Sequence, residues 1–214
     1  MRAAQCTGTA TPLVPPLTCP YLLASDQLAR LQEEIQALAE AATIDFRTGL
    51  ANTAAFDADH AQLHARLKRS GEPYAVMIVD IDHFHDYNSR YRYLEGNRAL
   101  RRVAGTITAA LRQGDRAYRY GGEEFAVLLP NTGLEGAKLV AERVRSAVES
   151  LGIEHVHNSP GVVTVTVGAV EASLQHPSPE DVFEHANVLL LEGKDGGRNR
   201  VVASPSAVSG LNRL

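Results

Sequence analysis

Cysteine is nearly missing from this 214-residue chain: Cys6 and Cys19 are its only two, both in a Pro/Thr-rich N-terminal tract. Two such residues do not make a disulfide framework, and this sparse use fits a reducing cytosol. A basic surplus is missing as well. The chain carries 21 Lys and Arg against 25 Asp and Glu, a net charge of −4, which argues against binding a phosphate backbone. No apolar run reaches the length of about 18 residues that a membrane span requires. The opening residues Met1, Arg2, Gln5, Thr7 and Thr9 lack the continuous apolar segment of a secretory signal. These absences predict a cytoplasmic protein with no membrane insertion and no nucleic-acid partner. What is present is about 44% apolar residues, enough for one globular domain plus an extension.

Composition changes along the chain. Residues 1–24 contain Pro12, Pro15, Pro16 and Pro20 with little periodicity and read as a flexible leader. From Ser25 or Asp26, either of which can cap a helix, apolar residues fall at Leu28, Leu31, Ile35, Leu38 and Ala42. That spacing is a coiled-coil seam of about two heptads over 25–43, or equally a helix lying on its own domain. The segment 44–203 then alternates helices and strands, and 204–214 forms a tail. Helices are predicted over Thr53–Lys68, Asn97–Arg112, Leu134–Leu151 and Pro179–Leu191. Strands are predicted over Tyr74–Ile81, Arg116–Tyr120, Phe125–Leu129, Val162–Val170 and Arg200–Val202. The order β-α-β-β-α-β predicts an α+β fold of ferredoxin-like or palm-like type, an antiparallel central sheet with helices on one face.

Two places along this pattern concentrate acid. Asp80 and Asp82 close an apolar strand, and residues two apart on a strand share a face. Glu123 and Glu124 follow Gly121 and Gly122 in a hairpin turn, where glycine allows close backbone approach of a bulky anion. If the two strands pair, these acids converge and raise one another's pKa. A hard cation with oxygen ligands such as Mg²⁺ relieves that repulsion. Either element taken alone reads better as an acidic loop in water beside a turn that needs glycine.

The turn Gly121-Gly122-Glu123-Glu124-Phe125 resembles the signature of the GGDEF family of diguanylate cyclases, in its GGEEF form. Three further segments resemble that family in register: Asp45-Phe46-Arg47-Thr48-Gly49-Leu50 with Asn52, Val79-Asp80-Ile81-Asp82-His83-Phe84, and Lys194 with Gly197-Arg198-Asn199-Arg200. The resemblance covers about residues 43–203. It implies that two GTP are condensed into cyclic di-GMP with release of pyrophosphate, on Mg²⁺ or Mn²⁺, by a homodimer whose half-sites face each other. It further implies that Asp80 and Glu123 ligate the metal through their side chains and Ile81 through its carbonyl. Glu124 would either assist in deprotonating the attacking 3′-hydroxyl or complete the metal shell. Phe84, His85, Asn88, Asn97, Gly121 and Gly122 contact the substrate, and Lys194 and Arg198 lie near the triphosphate. Arg112-Gln113-Gly114-Asp115, just upstream of Gly121, is similar to the family's R-x-x-D inhibitory site, with Arg143 as a second-site arginine. The resemblance thereby implies inhibition by the product, cyclic di-GMP.

The chain's departures from the family pattern cluster in one stretch, residues 85–97; further on, Asn187 and Leu191 replace a usual Asp and Tyr and read as structural. His85 stands where the family has lysine, Arg92 and Tyr93 where it has Gly-His, and Asn97 where it has the acid that reads guanine. An amide offers one acceptor to guanine where a carboxylate offers two, and its donor suits adenine. One lost charge-assisted contact costs about 1.5–3 kcal/mol, roughly 10- to 100-fold in rate. The leading expectation is a cyclase, of full or reduced rate. Two other readings stand beside it: a catalytically weak receptor for cyclic di-GMP or GTP, and a cyclase of relaxed base choice making cyclic GMP-AMP.

Overall fold

A computed structural model of the chain describes Arg30 and residues 43–205. The predicted leader, the coiled-coil seam apart from Arg30 and Thr43, and the tail beyond Pro205 lie outside the described residues. The chain divides into two units, Met1–Ala41 and Ala42–Leu214.

Local chemistry sets the element boundaries. A short strand β1 (Ala51–Asn52) leads into helix α1 (Thr53–Ser70), where the Asn52 side chain accepts from the Ala55 amide at 3.2 Å. Gly71 ends α1 in the left-handed region (φ 74°) and returns its N–H to the Leu67 carbonyl. Strand β2 (Tyr74–Ile81) is buried at all eight positions. Helix α2 (Phe84–Ala109) and strands β3 (Arg116–Arg119) and β4 (Glu124–Pro130) follow. After helix α3 (Leu134–Glu149) and strand β5 (Val165–Glu171) comes helix α4 (Pro179–Asp195), which opens with a reciprocal capping box between Ser178 and Asp181. Strand β6 (Val201–Ser204) closes the fold.

The six strands form one sheet in the order β1-β3-β4-β2-β5-β6. Its four central strands are antiparallel, as predicted, while β1 pairs with β3 and β5 with β6 in parallel. Alternation along β2 divides the core in two. Ala75, Met77, Val79 and Ile81 pack with Val103 and Ile107 of α2 and with Ala141, Val144 and Val148 of α3. Tyr74, Val76 and Ile78 pack with Phe56 and Leu67 of α1 and with Val182, Ala186 and Leu190 of α4. Helices therefore cover both faces, not the single face predicted, because α1 and α4 lie outside the β-α-β-β-α-β unit that the prediction considered. Double coverage also explains why β2 reads as an unbroken apolar run.

Helix α2 differs most from expectation, since it begins at Phe84 and not near Asn97. It breaks at Arg92, whose backbone (φ 71°, ψ 162°) is far from helical. Phe84 and Tyr87 of its first half are buried and stacked in parallel at 5.8 Å, and Tyr91 lies 4.7 Å from Tyr87. That aromatic stripe holds down a segment whose other side is polar.

A histidine cluster sits under α1. The Tyr74 hydroxyl is shared by His60 Nε2 at 3.2 Å and His64 Nδ1 at 3.0 Å, and both histidines are buried. Burial pulls His60 down from the usual 6.5 to about 4, helped by the neighbouring His64. A histidine lowered in the fold contributes stability that is complete above pH 6.5 and is lost as pH falls toward 4. Between pH 7 and 5 the His60 contribution should fall by about 2 kcal/mol, at about 1.36 kcal/mol per unit. Asp80 shifts in the opposite sense, so the readout is the difference between wild type and His60→Leu in urea unfolding at the two pH values. Parallel pH dependence in the two proteins would contradict the assignment.

Candidate active site

The end of β2 and the turn before β4 meet as the motifs predicted. Asp80 pairs with Glu124 across the β2–β4 ladder, and the Ile81 amide donates to the Glu123 carbonyl at 3.3 Å. Glu124 folds back over the turn: its carbonyl accepts from the amides of Tyr120 and Gly121. A β-carbon on Gly121 would lie 2.5 Å from Glu124 Oε2, so any side chain there would displace that carboxylate.

Asp80 is nearly buried, and its Oδ2 meets Lys194 Nζ at 2.9 Å. Burial pushes its carboxyl up from 3.8 to about 6; Lys194 opposes that rise, and the charges of Glu123 and Glu124 add to it. Three carboxylates thus share one electrostatic neighbourhood at a strand end. Hard oxygen donors that repel one another fit a divalent cation bound through one or two carboxylates. Among the described residues no three His, Cys, Asp or Glu side chains already stand in a metal-ready cluster, and the ammonium of Lys194 supplies the positive charge at Asp80.

Asp82 shares the face of Asp80 but is not part of this group. It has no solvent exposure, accepts from the hydroxyls of Thr164 at 2.7 Å and Thr166 at 2.6 Å, and also accepts from the Asn199 amide at 3.0 Å. It is a structural tie between β2, β5 and the segment that leads to β6.

The remaining predicted residues fall into place unevenly. The Phe84 ring is buried in the core, leaving its backbone as the part available at the start of α2, where the first amides have no intrahelical acceptor. His85 is exposed. Asn88 and Asn97 lie on either side of the Arg92 break, and Asn88 Oδ1 is buried with no hydrogen-bond partner among the described residues. Arg198, with a positive φ of 62°, reaches back to the Lys194 carbonyl.

At the far end of α2, Arg112 Nε donates to Asp115 Oδ1 at 3.2 Å, and its Nη2 donates to the Pro130 carbonyl and Thr132 Oγ1, each at 2.8 Å. Arg143 Nε donates to the Ala110 carbonyl at 2.8 Å, which brings it to the same helix end. The arginine pair and Asp115 are therefore gathered, while Arg112 is held by the Pro130 carbonyl and the Thr132 hydroxyl.

Two participants escape the sequence reading. The first is the Lys194–Asp80 ion pair, since Lys194 is expected at a phosphate. The second is Arg119, a buried guanidinium whose Nε donates to the Gly121 carbonyl at 2.5 Å and which lies 4.8 Å over the Phe125 ring. Its position two residues before the glycine pair is the signal that could have found it.

Comparison with known proteins agrees with this geometry. The family description "Diguanylate cyclase, GGDEF domain" matches residues 42–200. Diguanylate cyclase VdcA of Vibrio cholerae is 37% identical over 179 residues, covering 82% of this chain and 51% of that protein. Diguanylate cyclase DgcP of Pseudomonas aeruginosa is 38% identical over 160 residues, covering 75% of this chain and 24% of that protein. This chain therefore spans about half, or less, of the curated relatives' length. Among solved structures, the coiled coil and GGDEF domain of DgcB from Caulobacter crescentus, in complex with c-di-GMP, superposes with a TM-score of 0.73 at 30% identity. That superposition covers 86% of this chain and 97% of that one. Among the described residues no helix is long and apolar enough to cross a membrane.

Proposed function

This chain belongs to the GGDEF-domain family of diguanylate cyclases, and on that premise we propose that it condenses two GTP into cyclic di-GMP and releases pyrophosphate. The observation that carries the reading is the convergence of Asp80, Glu123 and Glu124 at the turn formed by Gly121 and Gly122. Magnesium or manganese bound there, on Asp80, Glu123 and the Ile81 carbonyl, supplies charge neutralisation for the triphosphate. The chain's own groups do the rest. The free amides at the start of α2 and the cations Lys194 and Arg198 bind phosphate oxygens. Glu124 accepts the proton of the attacking 3′-hydroxyl, and Asn88 presents an acceptor to the purine. When nucleotide arrives, Lys194 leaves Asp80 for the triphosphate and frees that carboxylate for the cation.

Each domain holds one nucleotide, so the product forms between two copies of the chain, with the 25–43 segment raising the local concentration of one half-site near the other. Arg112, Asp115 and Arg143 hold the product when it accumulates, the arginine forks engaging phosphate or guanine acceptors and Asp115 accepting from guanine N–H groups. Titration of Arg112 with cyclic di-GMP therefore competes with its contacts to Pro130 and Thr132.

The deciding experiment incubates purified protein with Mg²⁺ and GTP, alone and mixed with ATP, and resolves products by mass. Cyclic di-GMP supports the reading. A mixed cyclic dinucleotide assigns Asn97 a part in base choice, and absence of product with cyclic di-GMP still bound moves the assignment to a receptor. A second expectation concerns pH. The carboxyl of Asp80 titrates near 6 before any cation binds, and the cation needs it ionised. Affinity for Mn²⁺, read by electron paramagnetic resonance, should then fall about tenfold per pH unit below 6 and level off above it. A flat profile between pH 5 and 7 would remove Asp80 from the ligand set.

A further inference from the structure

We propose that Arg92 reads the purine of the bound nucleotide, donating its guanidinium fork to the O6 and N7 acceptors of guanine; this rests on the nucleotide site proposed above. Arg92 has φ 71° and ψ 162° in the middle of α2, a region of conformational space that is essentially reserved for glycine. A side chain held there destabilises the fold, and such strain collects at sites where the residue does something else. The family pattern has glycine at this position, so the strain comes with this chain's own residue.

The surroundings indicate what that something is. The Arg92 side chain is exposed and has no hydrogen bond or ion pair with another described residue, whereas the nearby Arg98 is already paired to Glu95 at 2.6 Å. Arg90 lines a separate cavity with His83, Asp86, Ser89 and His157. The helix break at Arg92 separates Asn88 from Asn97, the two amides expected to face the base. Asn88 Oδ1 is buried and unpartnered. It fills the space beside Gly96, where a β-carbon would lie 1.8 Å from it. An orphaned acceptor of this kind is costly unless a ligand donates to it, and guanine offers N1–H and N2–H₂ on its Watson–Crick edge. The opposite edge, O6 and N7, offers two acceptors, and an arginine fork is the side chain that pairs with both at once. Asn97 cannot replace the lost carboxylate as a double acceptor, so guanine preference needs a second source. Arg92 provides it from the other edge.

The test uses dideoxy-GTP and its 7-deaza analogue, which lack the 3′-hydroxyl and so cannot condense. The analogue also lacks the N7 acceptor. Binding to the full chain with Mg²⁺ is measured by calorimetry, and melting is followed in the same proteins. Wild type should prefer dideoxy-GTP over the 7-deaza form by about tenfold. Arg92→Gly should lose that preference and, relieved of strain, should melt about 3 °C higher, the added chain entropy of glycine offsetting part of the gain. Arg92→Lys, which keeps the strain and the charge but not the fork, should lose most of the preference without the rise in melting temperature. A purely structural Arg92 moves melting alone. The inference fails if Arg92→Gly keeps the wild-type preference, if wild type shows none, or if Arg92→Gly melts lower than wild type. A wild type that makes cyclic di-GMP yet shows no N7 preference overturns this inference and leaves the proposed function standing. A wild type that binds neither nucleotide overturns both.

Discussion

Glu123→Ala is expected to lower cyclic di-GMP formation by about a thousandfold while leaving the melting temperature within a degree or two of wild type. The first half of that expectation follows from the electrostatics at the end of β2. Asp80 sits in a field made by Glu123 and Glu124 and answered by Lys194, so removing Glu123 deletes one of the two side-chain oxygen sources proposed for the cation. A metal's stabilisation of transferring phosphoryl charge amounts to several kcal/mol, and a thousandfold is about 4 kcal/mol. The second half follows from the hydrogen bonds. The contact that Glu123 makes to β2 is through its carbonyl, which accepts from Ile81 and survives truncation to alanine. The measurement is initial rate by mass-resolved product, with melting in parallel. Equal rates for Glu123→Ala and wild type would show that the turn does not serve catalysis. The receptor reading would then be the better one, because Arg112, Asp115 and Arg143 are gathered independently at the far end of α2.

The same two elements mark how far sequence carries. Strand β2 and the hairpin around Gly121 and Gly122 are legible because their signals are local: an apolar run of strand length, and a glycine pair between β-rich segments. Their pairing, which sets Asp80 against Glu124, follows from the palm-like order of elements. Local signals also located α1, α3 and α4 to within a few residues. The first half of α2 was not legible, since His85, Asp86, Asn88, Ser89 and Arg90 mask the stripe of Phe84, Tyr87 and Tyr91 that anchors it. Nor does spacing show that α1 and α4 cover the second face of the sheet, because that depends on connections outside the β-α-β-β-α-β unit.

Side-chain roles divide along the same line. Identity and position were enough to single out the acids of the turn, whereas partners far apart in sequence were invisible: Lys194 on Asp80, and His60 and His64 on Tyr74. The break at Arg92 belongs to this group too. Its sequence signal is an arginine where the family pattern has glycine, but only the backbone angles turn that departure into strain.

Asp82→Ala should be the most destabilising single change in the domain's polar interior, at about 3–5 kcal/mol. The strand period gave Asp82 the same face as Asp80, yet the two carboxylates are held by opposite means: Asp80 by a movable ammonium, Asp82 by three fixed donors. Asn158 Nδ2 donates to the Thr164 hydroxyl at 2.9 Å, which donates on to Asp82, and Thr166 and the Asn199 amide complete the set. Truncation leaves those donors buried without an acceptor, which costs more than the bonds themselves contributed. A loss of that size corresponds to a fall in melting temperature of about 10 °C for a domain of this length. Asp82→Asn retains one acceptor oxygen and should fall between alanine and wild type. The effect also reaches the site. Asn199 is held by Asp82 through its amide and by Arg145 and Glu149 through its side chain, and it follows directly on Arg198 in the segment that carries Lys194. Loosening one end of that segment should raise the KM for GTP in Asp82→Asn at temperatures where the protein is fully folded, with kcat little changed. A variant as stable as wild type would show that the two threonine hydroxyls find other acceptors. A fall in kcat alone would place Asp82 among the cation's ligands after all.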